Sequence, residues 1–259
     1  MRTELLSSPA RPAALLVTWT CLLALFAGIA PAAQAVLNVP FDLVSLVMFA
    51  PALACVAALL RPDWLPAAWE SVDWLKVLRS TALACIAVVG FVGTLALLLG
   101  RWPSWPPGPA AAPLVVFLVL QTAGVLAEEI GWRGLVQRCG ERFAKPVVVS
   151  VIAGFIFGAT HLGYWSLGLL PVLTFAVTAM LMSVTITTIY VGSLWQRMVP
   201  AVTVHLGVNL GLGALALQDE PLATAPASLA AAAIMLAITL STRAFIRQHP
   251  METVKVHRG

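Results

Sequence analysis

Two adjacent carboxylates in an apolar stretch are the strongest candidates for catalytic residues in this sequence. Glu128 and Glu129 stand within the run 114–137, and Arg133 follows Glu129 by four residues. Residues four apart share a helix face, so Glu129 and Arg133 are predicted to pair. Glu128 points about 100° away around the helix axis. Its carboxylate therefore remains free for chemistry.

Two histidines and a carboxamide follow in later apolar runs. Phe157 precedes His161 by four residues, and His205 precedes Asn209 by the same interval, so each pair shares a helix face. Imidazoles assist proton transfer, and amide N–H groups stabilise a developing oxyanion. Each of these residues alone is more often a packing residue or an interhelical hydrogen bond. Their combination with two carboxylates in apolar helices predicts a chemical site.

The composition requires that a lipid bilayer surrounds these groups. The chain has 259 residues, of which 60% are hydrophobic and 10% charged, and its mean hydropathy is +0.94. Soluble domains carry about 25% charged residues. The net charge of +4 does not indicate nucleic-acid binding, because the basic residues lie between apolar runs rather than in one patch. The sequence predicts an all-α, polytopic integral membrane protein.

Apolar runs of about 20 residues predict eight transmembrane helices with both termini cytoplasmic. Fourteen of the 15 Lys and Arg residues fall on alternate segments, if Arg133 and Arg243 are counted with the segments that directly follow their runs. Only Arg101 lies on the others, which gives the orientation by the positive-inside rule. A single membrane domain over 1–259 is expected, with a motif-bearing core at about 114–217 and a cytoplasmic tail at 246–259. The eight runs are 13–30, 43–60, 81–100, 114–137, 146–164, 169–190, 198–217 and 225–245.

The first run has two interpretations. Arg2 and Arg11 precede it, and Ala33, Gln34 and Ala35 follow it in the AxA pattern of a cleaved signal peptide. Its length favours a membrane anchor, and an anchor is what we expect.

The depths of the polar residues leave one difficulty. Measured from the turn at 140–146, Glu128 and His161 both lie about 20 Å along their helices. His205 and Asn209 lie only about 8 and 14 Å beyond Pro200 by the same rise. The seventh helix must be tilted or begin deeper in the bilayer, or the three motifs do not form one site.

Two pairs of glycines predict close helix packing. Gly154 and Gly158 allow a neighbouring helix to approach and would bring His161 near it. Gly207 and Gly211 lie off the face of His205 and are predicted to serve packing alone.

The motifs resemble those of the CAAX prenyl protease and bacteriocin-processing (CPBP) family of intramembrane proteases, whose pattern is EExxxR, FxxxH and HxxxN or HxxxB. Each motif is short, but three in this order on predicted membrane helices are specific. The motif region covers less than half of the chain. The motifs are Glu128, Glu129 and Arg133, then Phe157 and His161, then His205 and Asn209.

The resemblance implies about eight membrane helices around a water-filled cavity, which opens toward the cytoplasm and holds a glutamate-type endopeptidase site. Glu128, helped by His161, would be the general base toward water, and His205 and Asn209 would stabilise the oxyanion. Glu129, Arg133 and Phe157 would support the site.

Other interpretations stay open. Glu128, His161 and His205 are also a three-ligand set for catalytic zinc, although the local HExxH spacing is absent; catalysis without a cofactor is favoured. A non-catalytic immunity or scaffold protein would keep the same fold, but the complete motif set disfavours it. A proton-coupled transporter is disfavoured because no repeated pair of broken helices is evident.

Partners and location follow from composition and from the resemblance. A peptide or membrane-protein substrate and the lipid bilayer are expected, nucleic acid is not, and the oligomeric state is not determined. The excess of Arg over Lys, 12 to 3, suggests a bacterial plasma membrane. Prenylated substrates would be unexpected there.

Overall fold

The protein is a bundle of helices. Its computed structural model describes residues 10–41, 43–65, 72–104, 114–189, 194–216 and 221–248, and within these ranges all regular structure is helical. This confirms the predicted all-α class. The α-helices are α1 (Ala10–Val36), α2 (Ala50–Ala54), α3 (Val56–Leu60), α4 (Trp74–Leu99), α5 (Leu114–Glu129), α6 (Gln137–Gly140), α7 (Pro146–Ala159), α8 (Leu169–Ile189), α9 (Leu194–Ala216) and α10 (Pro221–Gln248).

Shorter helical segments connect or interrupt these helices. A π-helical segment, Ile130–Val136, joins α5 to α6, so that the helix continues from Leu114 to Gly140. The 3₁₀ segments are Leu46–Phe49, Pro62–Trp64 and Leu162–Leu167.

Six helices of the described residues are long and apolar enough to cross a membrane, by length and composition. The other two apolar segments, Leu46–Leu60 and Pro146–Ala159, are shorter. The six are Ala10–Val36, Trp74–Leu99, Leu114–Gly140, Leu169–Ile189, Gln196–Leu215 and Thr224–Gln248.

The second predicted run is broken at Cys55. The backbone N–H of Cys55 donates to the carbonyl oxygen of Ala52, at 3.0 Å, and so does not follow the α-helical pattern. The carbonyl oxygen of Pro51 instead accepts from Trp19 Nε1 at 3.1 Å and from Cys55 Sγ at 3.3 Å. A tertiary contact from α1 thus replaces a helical hydrogen bond.

The third predicted run begins seven residues earlier than the prediction, at Trp74 rather than at 81. Asp73 caps this helix, because its carboxylate accepts from the backbone N–H groups of Leu75 and Lys76. These hydrogen bonds, that of Lys76 first, hold the pKa of the Asp73 carboxyl below its usual value of 3.8. The helix ends where Gly100 adopts a φ of +65°, in the left-handed region.

The fifth predicted run stops before its histidine. Helix α7 ends at Ala159, and the carbonyl oxygen of Phe157 accepts from Thr160 Oγ1 and from His161 Nδ1, both at 2.8 Å. These side chains replace the next helical donors, so the chain leaves the α-helix at this point. His161 therefore lies on the turn after α7 and not on the helix itself.

Helix α9 begins four residues earlier than predicted, at Leu194 instead of 198, and Pro200 lies inside it. His205 is thus 11 residues from the helix start, which is about 16 Å along the axis. The side-chain amide of Gln196 donates to the carbonyl oxygen of Asp73 at 3.3 Å and joins the start of α9 to that of α4. The earlier start removes the predicted mismatch in depth.

The glycine pairs pack as predicted. A Cβ atom on Gly154 would lie 2.5 Å from Ser183 Cβ, and one on Gly158 would lie 2.5 Å from Ala176 Cα, so α7 and α8 touch along their backbones. On α9, a Cβ atom on Gly207 would lie 2.6 Å from Val88 Cγ1 of α4.

The bundle has two chemically different ends. The basic end contains the starts of α1, α4, α7 and α9 together with the ends of α3, α6, α8 and α10. The distal end contains the ends of α1, α4, α7 and α9 and the starts of α5, α8 and α10. There the backbone N–H of Ser104 donates to the carbonyl oxygen of Ala214. At the basic end, Arg243 Nη1 donates to the carbonyl oxygen of Thr188.

Candidate active site

A large cavity occupies the half of the bundle toward the distal end. Its volume is about 1470 Å³, above the range of about 300–1,000 Å³ that is typical of small-molecule pockets. Its wall is mostly apolar, but it includes Glu128, His161, His205 and Asn209. The structure thus brings the four predicted catalytic residues, from three separate motifs, to one cavity.

Glu129 is fully buried behind this wall and holds two partners. Its Oε1 atom accepts from Arg133 Nη1 at 3.1 Å, which is the ion pair that the four-residue spacing predicts. The same oxygen lies 2.7 Å from His205 Nδ1. Because a carboxylate only accepts, the proton of this contact is on Nδ1. Glu129 therefore fixes the orientation of the His205 ring.

The other ring nitrogen of His205 faces Glu128. Its Nε2 atom lies 3.6 Å from Glu128 Oε2, and a proton on one of the two atoms makes this approach attractive. With an imidazolium at His205, the two carboxylates are balanced by that ring and by Arg133. The four side chains are all buried, and charges at such depth need this compensation.

His161 reaches the cavity from the turn after α7. Its Nδ1 atom donates to the carbonyl oxygen of Phe157, so that the neutral ring carries a free lone pair on Nε2. The ring lies between Phe157 and Phe175, with centroid distances of 4.7 and 4.8 Å. Phe175 stacks in turn on Tyr164 at 4.2 Å.

Phe157 contacts the imidazole rings of both His161 and His205. Its ring meets that of His161 at an interplanar angle of 87° and that of His205 at 82°, both edge-to-face. A third edge contact joins Phe157 to Trp132, which packs on Trp19 of α1 at 5.2 Å. The Phe of the second motif is therefore the packing centre between the two histidines.

The π-helical segment directly follows the two glutamates. Gly131 lies in this segment, and a Cβ atom there would be 2.5 Å from Pro51 Cβ, so the broken second run packs on the site's own helix. Such π segments recur at functional sites because the extra residue re-aims the side chains. The local irregularity thus directly follows the two carboxylates, of which Glu128 faces the cavity.

Sequence reasoning missed Arg197 and Trp132. Arg197 of α9 is buried, donates through Nη1 to the carbonyl oxygen of Arg133 at 3.2 Å, and meets both oxygens of Glu141 at 3.0 Å. One feature of the sequence could have identified Arg197: it is the single basic residue between the sixth and seventh predicted runs.

One buried donor and one buried acceptor remain without partners among the described residues. They are Arg133 Nη2 and Glu129 Oε2, which both belong to the ion pair itself. The pair is therefore held through one oxygen rather than by two parallel hydrogen bonds, and His205 shares that oxygen.

The zinc alternative finds no converging ligand set. Within the described ranges, no three His, Cys, Asp or Glu side chains are grouped so that they can hold a metal ion. His205 Nδ1 is engaged by Glu129 and His161 Nδ1 by a carbonyl oxygen, so Nε2 is the atom of each ring that a metal could use.

Two predictions from the sequence are incompatible in this fold. The cavity lies toward the distal end, whereas α1 begins and α10 ends at the basic end. If both termini are cytoplasmic, the cavity does not open toward the cytoplasm. The physical reason is that its wall comes from the later part of α1, α7 and α9 and the earlier part of α8.

Comparison with known proteins supports the motif assignment. Residues 110–211 match a family model described as type II CAAX prenyl endopeptidase Rce1-like, and the match includes all three motifs. No curated protein sequence matches the chain. The family match confirms the resemblance seen in the motifs: residues 110–211, which are less than half of the chain, are similar to the Rce1-like type II CAAX prenyl endopeptidases.

Proposed function

We propose that this protein is an intramembrane endopeptidase in which Glu128 activates the water that attacks a peptide bond. One observation carries the proposal: Glu128 lies on the cavity wall beside His205, and Glu129 holds His205 from behind. This arrangement supplies a base and an oriented donor next to a space that admits a peptide.

The proposed reaction has two proton transfers. Glu128 takes a proton from water while the water oxygen bonds to the scissile carbonyl carbon. When the C–N bond breaks, Glu128 returns that proton to the leaving nitrogen. A positioned acid–base group contributes about 10²–10⁴-fold to such rates.

The negative oxygen of the intermediate needs donors. His205 Nε2–H, made available by the hold of Glu129 on Nδ1, is one donor, and the side-chain amide of Asn209 on the same face of α9 is the second. His161 accepts from the attacking water through Nε2 and orients it toward the carbonyl carbon.

The membrane arrangement is part of the proposal. We propose that all eight apolar segments cross the bilayer, six as long helices and two as the shorter Leu46–Leu60 and Pro146–Ala159, with both termini cytoplasmic. The compartment is a bacterial plasma membrane. The distribution of Lys and Arg supports this orientation.

The substrate is an apolar peptide or the apolar segment of a membrane protein. Side chains of α1 and α8, such as Leu23, Ala27 and Phe175, line the cavity, and its ionisable wall groups cluster at Glu128. A wall of this kind favours uncharged side chains on both sides of the scissile bond.

The test is cleavage by purified protein in detergent against a fluorogenic library of apolar peptides. Wild type is expected to cleave part of the library, and His161→Ala is expected to lose most of this activity with an unchanged elution profile. Equal cleavage by the two proteins would remove the catalytic assignment. Loss of wild-type activity with a chelator and recovery with zinc would replace the glutamate mechanism by a metal-dependent one.

A further inference from the structure

The position of the cavity along the bundle bears on which side of the membrane receives substrate. Every helix that contributes to the wall does so with its middle or its distal half. In α7 and α9 the first lining residues are Phe157 and His205, whereas in α8 the last is Met182. The cavity is therefore closed toward the basic end and extends to the distal end.

The two ends differ sharply in charge. At the distal end, Arg101 is the one basic residue among those described. The basic end holds ten in the described ranges, and this count omits Arg133 of the site. They are Arg11, Arg61, Lys76, Arg79, Arg138, Arg142, Lys145, Arg197, Arg243 and Arg247.

An imbalance of this size fixes orientation in a bilayer, because segments rich in Lys and Arg remain on the cytoplasmic side. We propose that the active-site cavity opens at the non-cytoplasmic face of the membrane. Under the proposed peptidase function, on which this step rests, the substrate is an apolar peptide segment that is presented from that face or from the outer half of the bilayer.

The side chains at the rim of the cavity are of the types that are stable at a membrane surface. Phe41 and Leu162 line the cavity near the distal end, and Trp165 lies on the same turn as Leu162; they are 73%, 77% and 53% exposed, respectively. Large apolar and aromatic side chains are stable at the boundary between headgroups and acyl chains. A peptide bound in the cavity would pass this apolar rim on its way to Glu128.

Inside the cavity, two glutamines hold the rim segment in place. Gln34 of α1 donates to the carbonyl oxygens of Val39 and Val44 and accepts from the backbone N–H of Leu46. Gln121 of α5 donates to the carbonyl oxygen of Leu43. These hydrogen bonds connect the segment between α1 and α2 to α1 and α5 at the distal end.

The test uses two cysteine variants of the full chain. Ser166→Cys places a thiol on the exposed turn at the distal end, and Lys145→Cys places one on the exposed turn at the basic end. A membrane-impermeant, sulfonated maleimide is added to right-side-out and to inside-out plasma-membrane vesicles. Wild type, with its four native cysteines, provides the background.

We expect Ser166→Cys to be labelled in right-side-out vesicles and Lys145→Cys in inside-out vesicles. The reverse pattern would overturn the proposed orientation. Labelling needs no proteolysis, so this result is independent of the peptidase assignment.

A second arm tests access of substrate. A charged, impermeant fluorogenic peptide with an apolar centre is supplied outside the same vesicles, and Glu128→Gln vesicles provide the baseline. Cleavage confined to right-side-out vesicles is expected, and cleavage confined to inside-out vesicles would overturn the inference. Expected labelling, with no cleavage in vesicles or in detergent, would support the orientation and refute the peptidase.

Discussion

Two neighbouring glutamates have different roles because they point in different directions. Glu128 reaches the cavity, whereas Glu129 is fully buried against Arg133 and His205. The sequence predicted this division, because successive helical residues are rotated by about 100°. It did not predict that His205 would touch both carboxylates, since that contact depends on where α9 begins.

Substitution of Glu129 should act through stability. Glu129→Gln leaves Arg133 charged and without a counterion in the interior, and the loss of a partner from a buried pair costs about 3–5 kcal/mol. Thermal unfolding in detergent, followed by size-exclusion chromatography, should show a clear fall in the midpoint. Glu128→Gln should lower the unfolding midpoint much less. Equal midpoints for the two variants would contradict the distinction between them.

Substitution of Asn209 should act on the chemical step. Asn209→Ala removes one proposed oxyanion donor, and such a loss lowers kcat by about 10²–10³-fold. KM should change little, because the donor acts mainly in the transition state. A raised KM with an unchanged kcat would instead assign Asn209 to substrate binding.

At the scale of elements, the sequence located the apolar segments better than their ends. Side-chain hydrogen bonds determine where the helices break or end. Trp19 donates to the carbonyl oxygen of Pro51, and Thr160 and His161 donate to that of Phe157. These partners are distant in sequence or specific to one turn, so hydropathy cannot reveal them. The glycine spacing on α7, in contrast, predicted its close packing.

The α7–α8 contact gives a prediction with a matched control. Gly158→Ala places a methyl group 2.5 Å from the backbone of Ala176 and must push the helices apart, which shifts the turn that carries His161. Both the unfolding midpoint and the activity should fall. Gly93→Ala in α4 meets nothing within 4 Å and should stabilise by about 1 kcal/mol through helix propensity. Similar behaviour of the two variants would show that α7 and α8 are not in close contact.

Arg197 should act as a positioning residue that joins α9 to the π-helical segment. Arg197→Ala removes its hydrogen bonds to the carbonyl oxygen of Arg133 and to Glu141, so His205 loses its alignment with Glu128. We expect kcat to fall more than KM rises. Arg197→Lys, which retains the positive charge, should have a kcat between those of Arg197→Ala and wild type. Full activity in Arg197→Ala would exclude this role.

At the scale of the whole molecule, composition predicted the membrane and the helical class, and charge order predicted an orientation. The cavity needed the fold, because its wall combines α1, α5, α7, α8 and α9, which no local pattern joins. The fold also shows that cytoplasmic termini and a cavity open to the cytoplasm exclude each other. Charge and cavity position together assign the opening to the other face.

The rate of peptide cleavage by Glu128→Gln tests the central claim most directly. Wild type, Glu128→Gln and the exposed acid-to-amide control Asp63→Asn are purified in the same detergent and assayed with one cleaved peptide. The account predicts that kcat/KM falls by about 10²–10⁴-fold in Glu128→Gln and is unchanged in Asp63→Asn. A folded Glu128→Gln protein that cleaves at the wild-type rate would contradict it.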